Sequence, residues 1–184
     1  MKTSYLFLAE GFEEIEALST VDILRRAGMD VCTVSITADK IVKGAHGVPV
    51  TADKAISEID TEDAEWLILP GGMPGSTNLA ACGKLNDMLT VQWNKQGKIA
   101  AICAAPAVVL GPLGIVRGQE ATCYPSFKDE LIAAGDQYVD MRVIESGNLI
   151  TSNGPSSAFL FAFAIVSNTL GQDVASSVAS GMLV

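Results

Sequence analysis

The sequence alternates between short, almost wholly apolar segments and segments with helical periodicity. The apolar segments "SYLFLA", "MDVCTVSI", "AEWLILP" and "KIAAIC" are typical of strands, and "EEIEALSTVDILRRAG", residues 85–95 and "SFKDELIAAG" are typical of helices. Strands that are apolar along their whole length are buried on both faces, as in a parallel sheet covered by helices. We therefore predict one α/β domain over residues 1–184, with a mostly parallel sheet and helices on both faces.

The remaining patterns add smaller elements to this plan. A hairpin with a glycine-rich turn is predicted for "VKGAHGVPVTAD", and a second hairpin for "MRVIESGNLITS", turning at Ser146-Gly147-Asn148. "EATCY" is strand-like, "AAPAVVLGPLG" starts with a helical run, and "GPSSAFLFAFAIVSNTLG" predicts a long apolar helix before a second short one.

Charge and cysteine usage exclude several classes of protein. The net charge of -9 disfavours nucleic acid and anionic membranes as partners. No apolar run approaches the ~20 residues that span a bilayer, and the first residues lack the core of a signal peptide. The four cysteines show no CxxC spacing and there is one histidine, so we predict no metal site and a cytoplasmic protein with reduced thiols.

Cys103 stands in "AAICAAP", where a predicted central strand passes into an apolar helical run. Ligands of open α/β sheets bind at the carboxyl ends of the strands, and a sharp strand-to-helix turn presents its residue there as a nucleophile elbow. Such a turn needs small neighbours, which Ala100, Ala101, Ala104 and Ala105 supply. We expect the helix dipole to lower the pKa of the thiol below that of a free cysteine. The alternative is a buried structural cysteine.

A thiolate needs a partner that handles protons, and Glu16 is one candidate. Helical spacing places it in a partly apolar row with Phe12, Thr20, Ile23 and Ala27. Glu13 and Glu14 are predicted to lie on other faces. Burial raises the pKa of a carboxyl, so Glu16 is expected to keep its proton and to donate a hydrogen bond. The alternative is an ordinary acidic residue at the start of a helix.

His46, in the glycine-rich turn of the first hairpin, is the other candidate. It is either a solvated surface residue or a catalytic one. The third element is "LPGGMPG", in which Gly71 and Gly72 follow a strand. There, backbone N–H groups can approach a ligand and form an oxyanion hole with the N–H of Ala104. The alternative is a tight turn, and a Walker loop is excluded because no GK[ST] follows.

Taken together, "EGFEEIEA", "LILPGGMPG" and "AAICAAPAVVL" resemble the DJ-1/ThiJ/PfpI superfamily, in particular its DJ-1 branch. "VDILRRAG", "YPSFKDEL" and "LITSNGPSSAF" extend the resemblance over nearly the whole chain. The resemblance implies a flavodoxin-like α/β sandwich and a homodimer. It further implies that Cys103 is the reactive nucleophile, that Glu16 hydrogen-bonds its sulfur, and that Gly72 and Ala104 supply backbone donors.

Members of this superfamily are described as glyoxalases or deglycases that act without a cofactor on methylglyoxal and its adducts, or as sensors of oxidative stress and chaperones. The protease-like branch has a histidine where this chain has Ala104, which argues against a peptidase or amidase. Some relatives carry a histidine where this chain has Tyr124, whose phenol either donates a hydrogen bond or packs in the core.

Two hypotheses for the function follow. In the first, Cys103 attacks a small α-oxoaldehyde or a glycated adduct, Glu16 moves a proton, and no metal, glutathione or other cofactor is required. In the second, Cys103 is an oxidisable sensor and the protein is a stress chaperone.

Family resemblance also places "LRRAG" and "SNGPSS" at a homodimer interface, with Arg25, Arg26, Asn153 and Pro155 as candidate contacts. Arg25 or Arg26 is expected to pair with a carboxylate or carbonyl of the second subunit. Such a dimer would carry the His46 turn towards the Cys103 site of its partner.

Overall fold

A computed structural model describes residues 2–184, and its centre is a seven-stranded sheet with the order β10-β11-β7-β6-β1-β2-β5. The strands of the protein are β1 (Ser4–Leu8), β2 (Val31–Ser35), β3 (Ile41–Lys43), β4 (Pro49–Thr51), β5 (Lys54–Ala55), β6 (Trp66–Leu69), β7 (Lys98–Ile102), β8 (Glu120–Ala121), β9 (Gln137–Tyr138), β10 (Val143–Ser146) and β11 (Leu149–Ser152). Every pairing within the large sheet is parallel except that of β10 with β11.

Helices cover both faces of this sheet. They are α1 (Glu14–Arg26), α2 (Gly75–Ala80), α3 (Gly83–Asn94), α4 (Lys128–Ala133), α5 (Ala158–Leu170) and α6 (Gln172–Gly181). One core lies between the sheet and helices α1, α5 and α6, and the other between the sheet and helices α2, α3 and α4. The predicted α/β class, with a mostly parallel sheet between two helical layers, is confirmed.

The alternating pleat of each central strand explains why these segments are apolar throughout. In β1, Leu6 and Leu8 face the core under α1, whereas Phe7 faces the core under α3, and all three are fully buried. Among residues 2–184, no helix is long and apolar enough to cross a membrane.

Some elements differ from the sequence prediction. Both predicted hairpins form, as β3–β4 and β10–β11. Helix α2 was not predicted, because its sequence "GSTNLA" is short and lacks an apolar stripe. The run after Cys103 was expected to be helical, and it forms only a five-residue π-helix, Pro106–Leu110, ahead of turns that contain Gly111 and Gly114.

The order of the strands fixes where a ligand can bind. The chain moves from β1 outwards to β2 and then returns to β6 on the other side of β1. The crevice at the carboxyl ends of β1 and β6 is therefore the point at which the strand order reverses, the usual site in open α/β sheets. Glu16, Gly71 and Cys103 lie in or next to the connections that leave β1, β6 and β7 at this edge.

We predict that Leu89→Ala in α3 lowers the free energy of unfolding by ~2–5 kcal/mol, because it leaves a cavity under a fully buried side chain. Val91→Ala, on the exposed side of the same helix, is the matched control and should change stability by less than about 1 kcal/mol. Urea denaturation followed by circular dichroism measures both. Equal losses in the two variants would contradict the position of α3.

Candidate active site

Cys103 occupies a strained backbone turn directly after β7. Its φ is +65°, in the left-handed region that residues with a Cβ rarely adopt. Its N–H donates to the carbonyl of Ser152 at 2.8 Å, and its carbonyl accepts from the N–H of Tyr124 at 2.8 Å. These two hydrogen bonds hold the turn from two sides, so the elbow expected from "AAICAAP" is present.

Glu16 reaches this elbow from the first turn of α1. Its carboxyl is buried, and Oε2 accepts a hydrogen bond from the N–H of Gly71 at 2.7 Å. Oε1 is also buried and has no hydrogen-bond partner of good geometry among the described residues. Phe12, Thr20 and Ile23 are fully buried with it, which confirms the predicted stripe. The alternative, an ordinary acidic residue at the start of a helix, does not account for this burial.

Gly71 and Gly72 fit this site because a side chain has no room there. A Cβ on Gly71 would lie 2.5 Å from the Cβ of Cys103 and 2.8 Å from Oε2 of Glu16. Gly72 has a φ of +89°, and a Cβ there would lie 2.5 Å from the backbone nitrogen of Glu13. The N–H groups of Gly72 and Ala104 lie close enough to the sulfur of Cys103 to lower the pKa of its thiol. Both expected donors are therefore near the sulfur, and their role as an oxyanion hole stays a prediction.

The thiol and the carboxyl influence each other's protonation. Burial raises the pKa of Glu16 to about 7, although the Gly71 N–H and the interaction with Cys103 lower it, and the charge of Glu13 raises it. Burial and, next, the negative charge of Glu16 together raise the pKa of Cys103 to about 12, against the N–H groups of Gly72 and Ala104. Two neighbouring buried groups cannot easily both be negative. The pair therefore loses its first proton near neutral pH and holds the second to much higher pH.

The expectation that a helix dipole lowers the pKa of the thiol is wrong in this environment. The helix after Cys103 is only five residues long, and burial together with the ionised Glu16 raises the pKa instead. The singly ionised pair also has a minor form in which Glu16 keeps the remaining proton, so that its repulsion disappears and its O–H can donate to the sulfur. The single negative charge of the pair is then on sulfur, which is the reactive arrangement.

The structure places His46 and Tyr124 beside the site rather than in it. The imidazole of His46 is exposed, and its Nδ1 lies 2.8 Å from Oε2 of Glu14 in the same chain. The prediction that a dimer carries the His46 turn towards the Cys103 site of the second subunit stays a prediction. Tyr124 is 44% exposed, so packing in the core is wrong, and its ring lies next to Gly154.

The residues predicted for a dimer interface have partners within the chain. Arg25 pairs with Asp53 at 2.8 Å and donates to the carbonyl of Val31. Arg26 pairs with Asp22 at 2.6 Å. Both arginines thus have partners within the chain, and the prediction that one of them pairs with a second subunit stays a prediction.

Asn153 and Pro155 belong to the segment that leads from β11 into α5. Oδ1 of Asn153 accepts from the hydroxyl of Ser157, and Pro155 begins a short 3-10 helix before α5. The segment starts next to the Ser152 carbonyl that holds the elbow, so these two residues lie near the edge of the candidate site.

Sequence reasoning missed Glu13. It was expected on another face of the helix, but its side chain is only 9% exposed, and its Oε2 caps α1 by accepting from the N–H of Glu16 at 2.7 Å. An acidic residue three positions before Glu16, just ahead of the apolar stripe, is the signal that indicates such a cap.

Glu13, Glu14 and His46 bring ligand atoms within 4.8 Å of one another. However, backbone N–H groups already occupy oxygens of both carboxylates, and the N-terminus of α1 repels a cation. We therefore assign no metal to this cluster. The four cysteines are all free thiols, and Cys123 is fully buried.

Comparisons with known proteins agree with this architecture. The model of the DJ-1/PfpI family matches residues 2–168. Protein dj-1beta of Drosophila melanogaster is 36% identical over 183 residues, covering 100% of this chain and 97% of that protein. Glutathione-independent glyoxalase DJR-1.2 of Caenorhabditis elegans is 37% identical, covering 91% of this chain and 88% of that protein. The structure described as Toxoplasma gondii DJ-1, oxidized, superposes with a TM-score of 0.94 at 38% identity, covering 100% of this chain and 98% of that one.

We predict that the alkylation rate of Cys103 rises with pH through a midpoint near 7, where the Glu16–Cys103 pair loses its first proton. In Glu16→Gln the midpoint should move up, because the group that titrates first is gone. In Glu16→Ala it should move up further, because the hydrogen-bond donor is lost as well. Peptide-resolved mass spectrometry after short exposure to iodoacetamide measures the rate, with Cys82 as an internal control. An unchanged midpoint in Glu16→Ala would show that the two groups are not coupled.

Proposed function

The chain belongs to the DJ-1/PfpI family, and on that premise we propose that it is a cofactor-independent glyoxalase or deglycase-like enzyme in which Cys103 attacks small α-oxoaldehydes or their adducts. The observation that carries the proposal is the convergence of Glu16 and two backbone N–H groups on one strained cysteine. The printed name of the Caenorhabditis elegans relative supports the glyoxalase activity in particular.

The first step uses the thiolate form of the pair. The sulfur forms a bond to the aldehyde carbon of methylglyoxal, and the carbonyl electron pair moves to oxygen. The product is a hemithioacetal, first formed with its oxyanion on the carbon that carries the sulfur. The N–H groups of Gly72 and Ala104, which lie near the sulfur in the free protein, can then stabilise this oxyanion.

The second step moves a proton between two carbons. Glu16, which holds the proton while the sulfur is ionised, gives it to the oxyanion and becomes a carboxylate. A carboxylate with a pKa of about 7 is then suited to remove the proton from the former aldehyde carbon and to return it to the adjacent carbon. This transfer converts the hemithioacetal into a thioester of lactate. Water hydrolyses the thioester, which releases lactate and restores the thiol, so that methylglyoxal and water are converted to lactate without an oxidant. On a glycated adduct, the sulfur would bond to the carbinol carbon as its C–N or C–S bond breaks, and the leaving amine or thiol would take up a proton, which gives the same hemithioacetal.

A second candidate is a sensor of oxidative stress, and the oxidised state named for the Toxoplasma gondii relative favours it. The thiolate would attack peroxide, form an S–O bond and release water or hydroxide, which gives a sulfenic acid. A protonated Glu16 would then hydrogen-bond the added oxygen. This function needs the same residues but no turnover, so the two are separated by measuring product.

The protein is also proposed to act as a homodimer in a reducing, cytoplasmic compartment. Large apolar side chains are exposed on two helices that pack against each other: Ile15 and Leu18 on α1, and Phe159 and Leu160 on α5. Exposed apolar side chains concentrated in this way are typical of an interface. Four unpaired thiols suit a reducing compartment.

We predict that the wild-type protein converts methylglyoxal to lactate without glutathione, and that Cys103→Ser lowers this rate at least ~100-fold, because the alcohol is a far weaker nucleophile. Cys82→Ser, at a half-buried thiol outside the site, should retain the rate. Lactate is quantified by an enzyme-coupled assay. Peroxide oxidation confined to Cys103, without lactate, would select the sensor instead.

We predict that Leu18→Asp converts the dimer into a 19 kDa monomer at micromolar concentration, because a charge would be buried in the apolar interface. Val91→Asp, on the exposed side of α3, should remain dimeric. Sedimentation velocity measures the mass. A monomeric wild-type protein at every concentration would contradict the dimer.

A further inference from the structure

Glu13 connects three parts of the site through its own atoms. Its Oε2 accepts from the N–H of Glu16 at 2.7 Å, and its backbone N–H donates to the carbonyl of Gly71 at 3.0 Å. Gly71 in turn donates to the Glu16 carboxyl. Glu13 thus fixes the helix turn that carries Glu16 relative to the loop that hydrogen-bonds it.

The second oxygen of Glu13 faces a histidine. Oε1 lies 3.9 Å from Nδ1 of His46, whose direct partner is Glu14 at 2.8 Å. The β3–β4 hairpin that carries His46 is attached to the residues before α1, because Gly11 donates to the carbonyl of Lys43 and Ala45 donates to the carbonyl of Phe12, each at 2.8 Å. The position of His46 beside Glu13 therefore needs no second subunit.

The charges of Glu13, Glu14 and His46 influence the protonation of their neighbours. The negative charge of Glu13 raises the pKa of Glu16. Glu14 and, to a lesser extent, Glu13 raise the pKa of His46, so the imidazole carries a positive charge over more of the range around neutral pH. Other charged residues where the hairpin docks are Glu10, which accepts from the backbone of Lys43, and Lys43 itself. Cys103 is the other titratable group next to Glu16.

We propose that Glu13 is a positioning residue of the Glu16–Cys103 pair, and that His46 is its counter-charge, so that a solvent-exposed imidazole sets how readily the buried acid holds its proton. The inference rests on the proposed role of Glu16, but its test needs no turnover. A carboxylate that merely caps α1 would affect stability and leave the protonation of Glu16 unchanged.

The test is the pH midpoint of Cys103 alkylation in three variants. Glu13→Gln keeps an oxygen that can cap α1 and removes the charge, so the midpoint should fall by about half a pH unit. His46→Gln keeps a hydrogen-bond donor and removes the positive charge, so the midpoint should rise by up to about half a unit. In the double variant the change at His46 should have a smaller effect, since without the charge of Glu13 the imidazole is protonated over less of the range around neutral pH.

Two controls test how Glu13 and His46 influence the midpoint of Cys103 alkylation. In a Glu16→Gln background, Glu13→Gln should no longer move the midpoint, because Glu13 acts through Glu16. The effect of His46→Gln should shrink in 1 M salt, since the imidazole is exposed. The proposal is overturned if His46→Gln, an exposed change that cannot unfold the core, leaves the midpoint in place at low salt. It is also overturned if the Glu13→Gln shift persists without Glu16. Loss of lactate formation with these shifts intact would count against the proposed enzyme and not against this inference.

Discussion

The site depends on the hydrogen bond from the N–H of Gly71 to the buried carboxyl of Glu16. This bond joins α1 to the loop after β6 at the place where the chain reverses its order in the sheet. It also restricts position 71 to glycine, because a methyl group on Gly71 would overlap both the carboxyl and the Cβ of Cys103. The Glu16 carboxyl, the Gly71 backbone and the Cys103 thiol are therefore packed at van der Waals distance. The carboxyl and the thiol each influence the protonation of the other, and the backbone N–H influences that of the carboxyl.

Much of this arrangement could be predicted from the sequence, because local patterns determine it. Wholly apolar strands between helices specify a parallel sheet buried on both faces, and the carboxyl ends of its strands specify where Cys103 lies. The alanines around Cys103 and the glycine pair after β6 indicate close backbone approach. The stripe through Phe12, Glu16 and Thr20 correctly predicts a buried carboxyl.

Properties that depend on contacts between distant segments could not be predicted in this way. The protonation of Cys103 depends on Glu16, Gly72 and burial together, so a rule based on one helix end gave the wrong direction. The burial of Glu13 follows from its contact with Gly71, and the direction of His46 follows from how the hairpin docks on Gly11 and Phe12. Helix α2 is short and has no periodic pattern, so only its packing against the core reveals it.

The two hydrogen bonds that hold the backbone of Cys103 have a consequence for what can react there. Since Ser152 and Tyr124 anchor the peptide groups on either side, the sulfur is the stationary partner and the electrophile must travel to it. Only 8% of the cysteine is exposed, so the opening acts as a steric filter. Under the proposed function, a carbonyl at the tip of a slender molecule or of a projecting side chain would reach the sulfur, whereas the same group flanked by bulk on both sides would not. Discrimination would then come from reach and width, with little need for a tight-binding pocket.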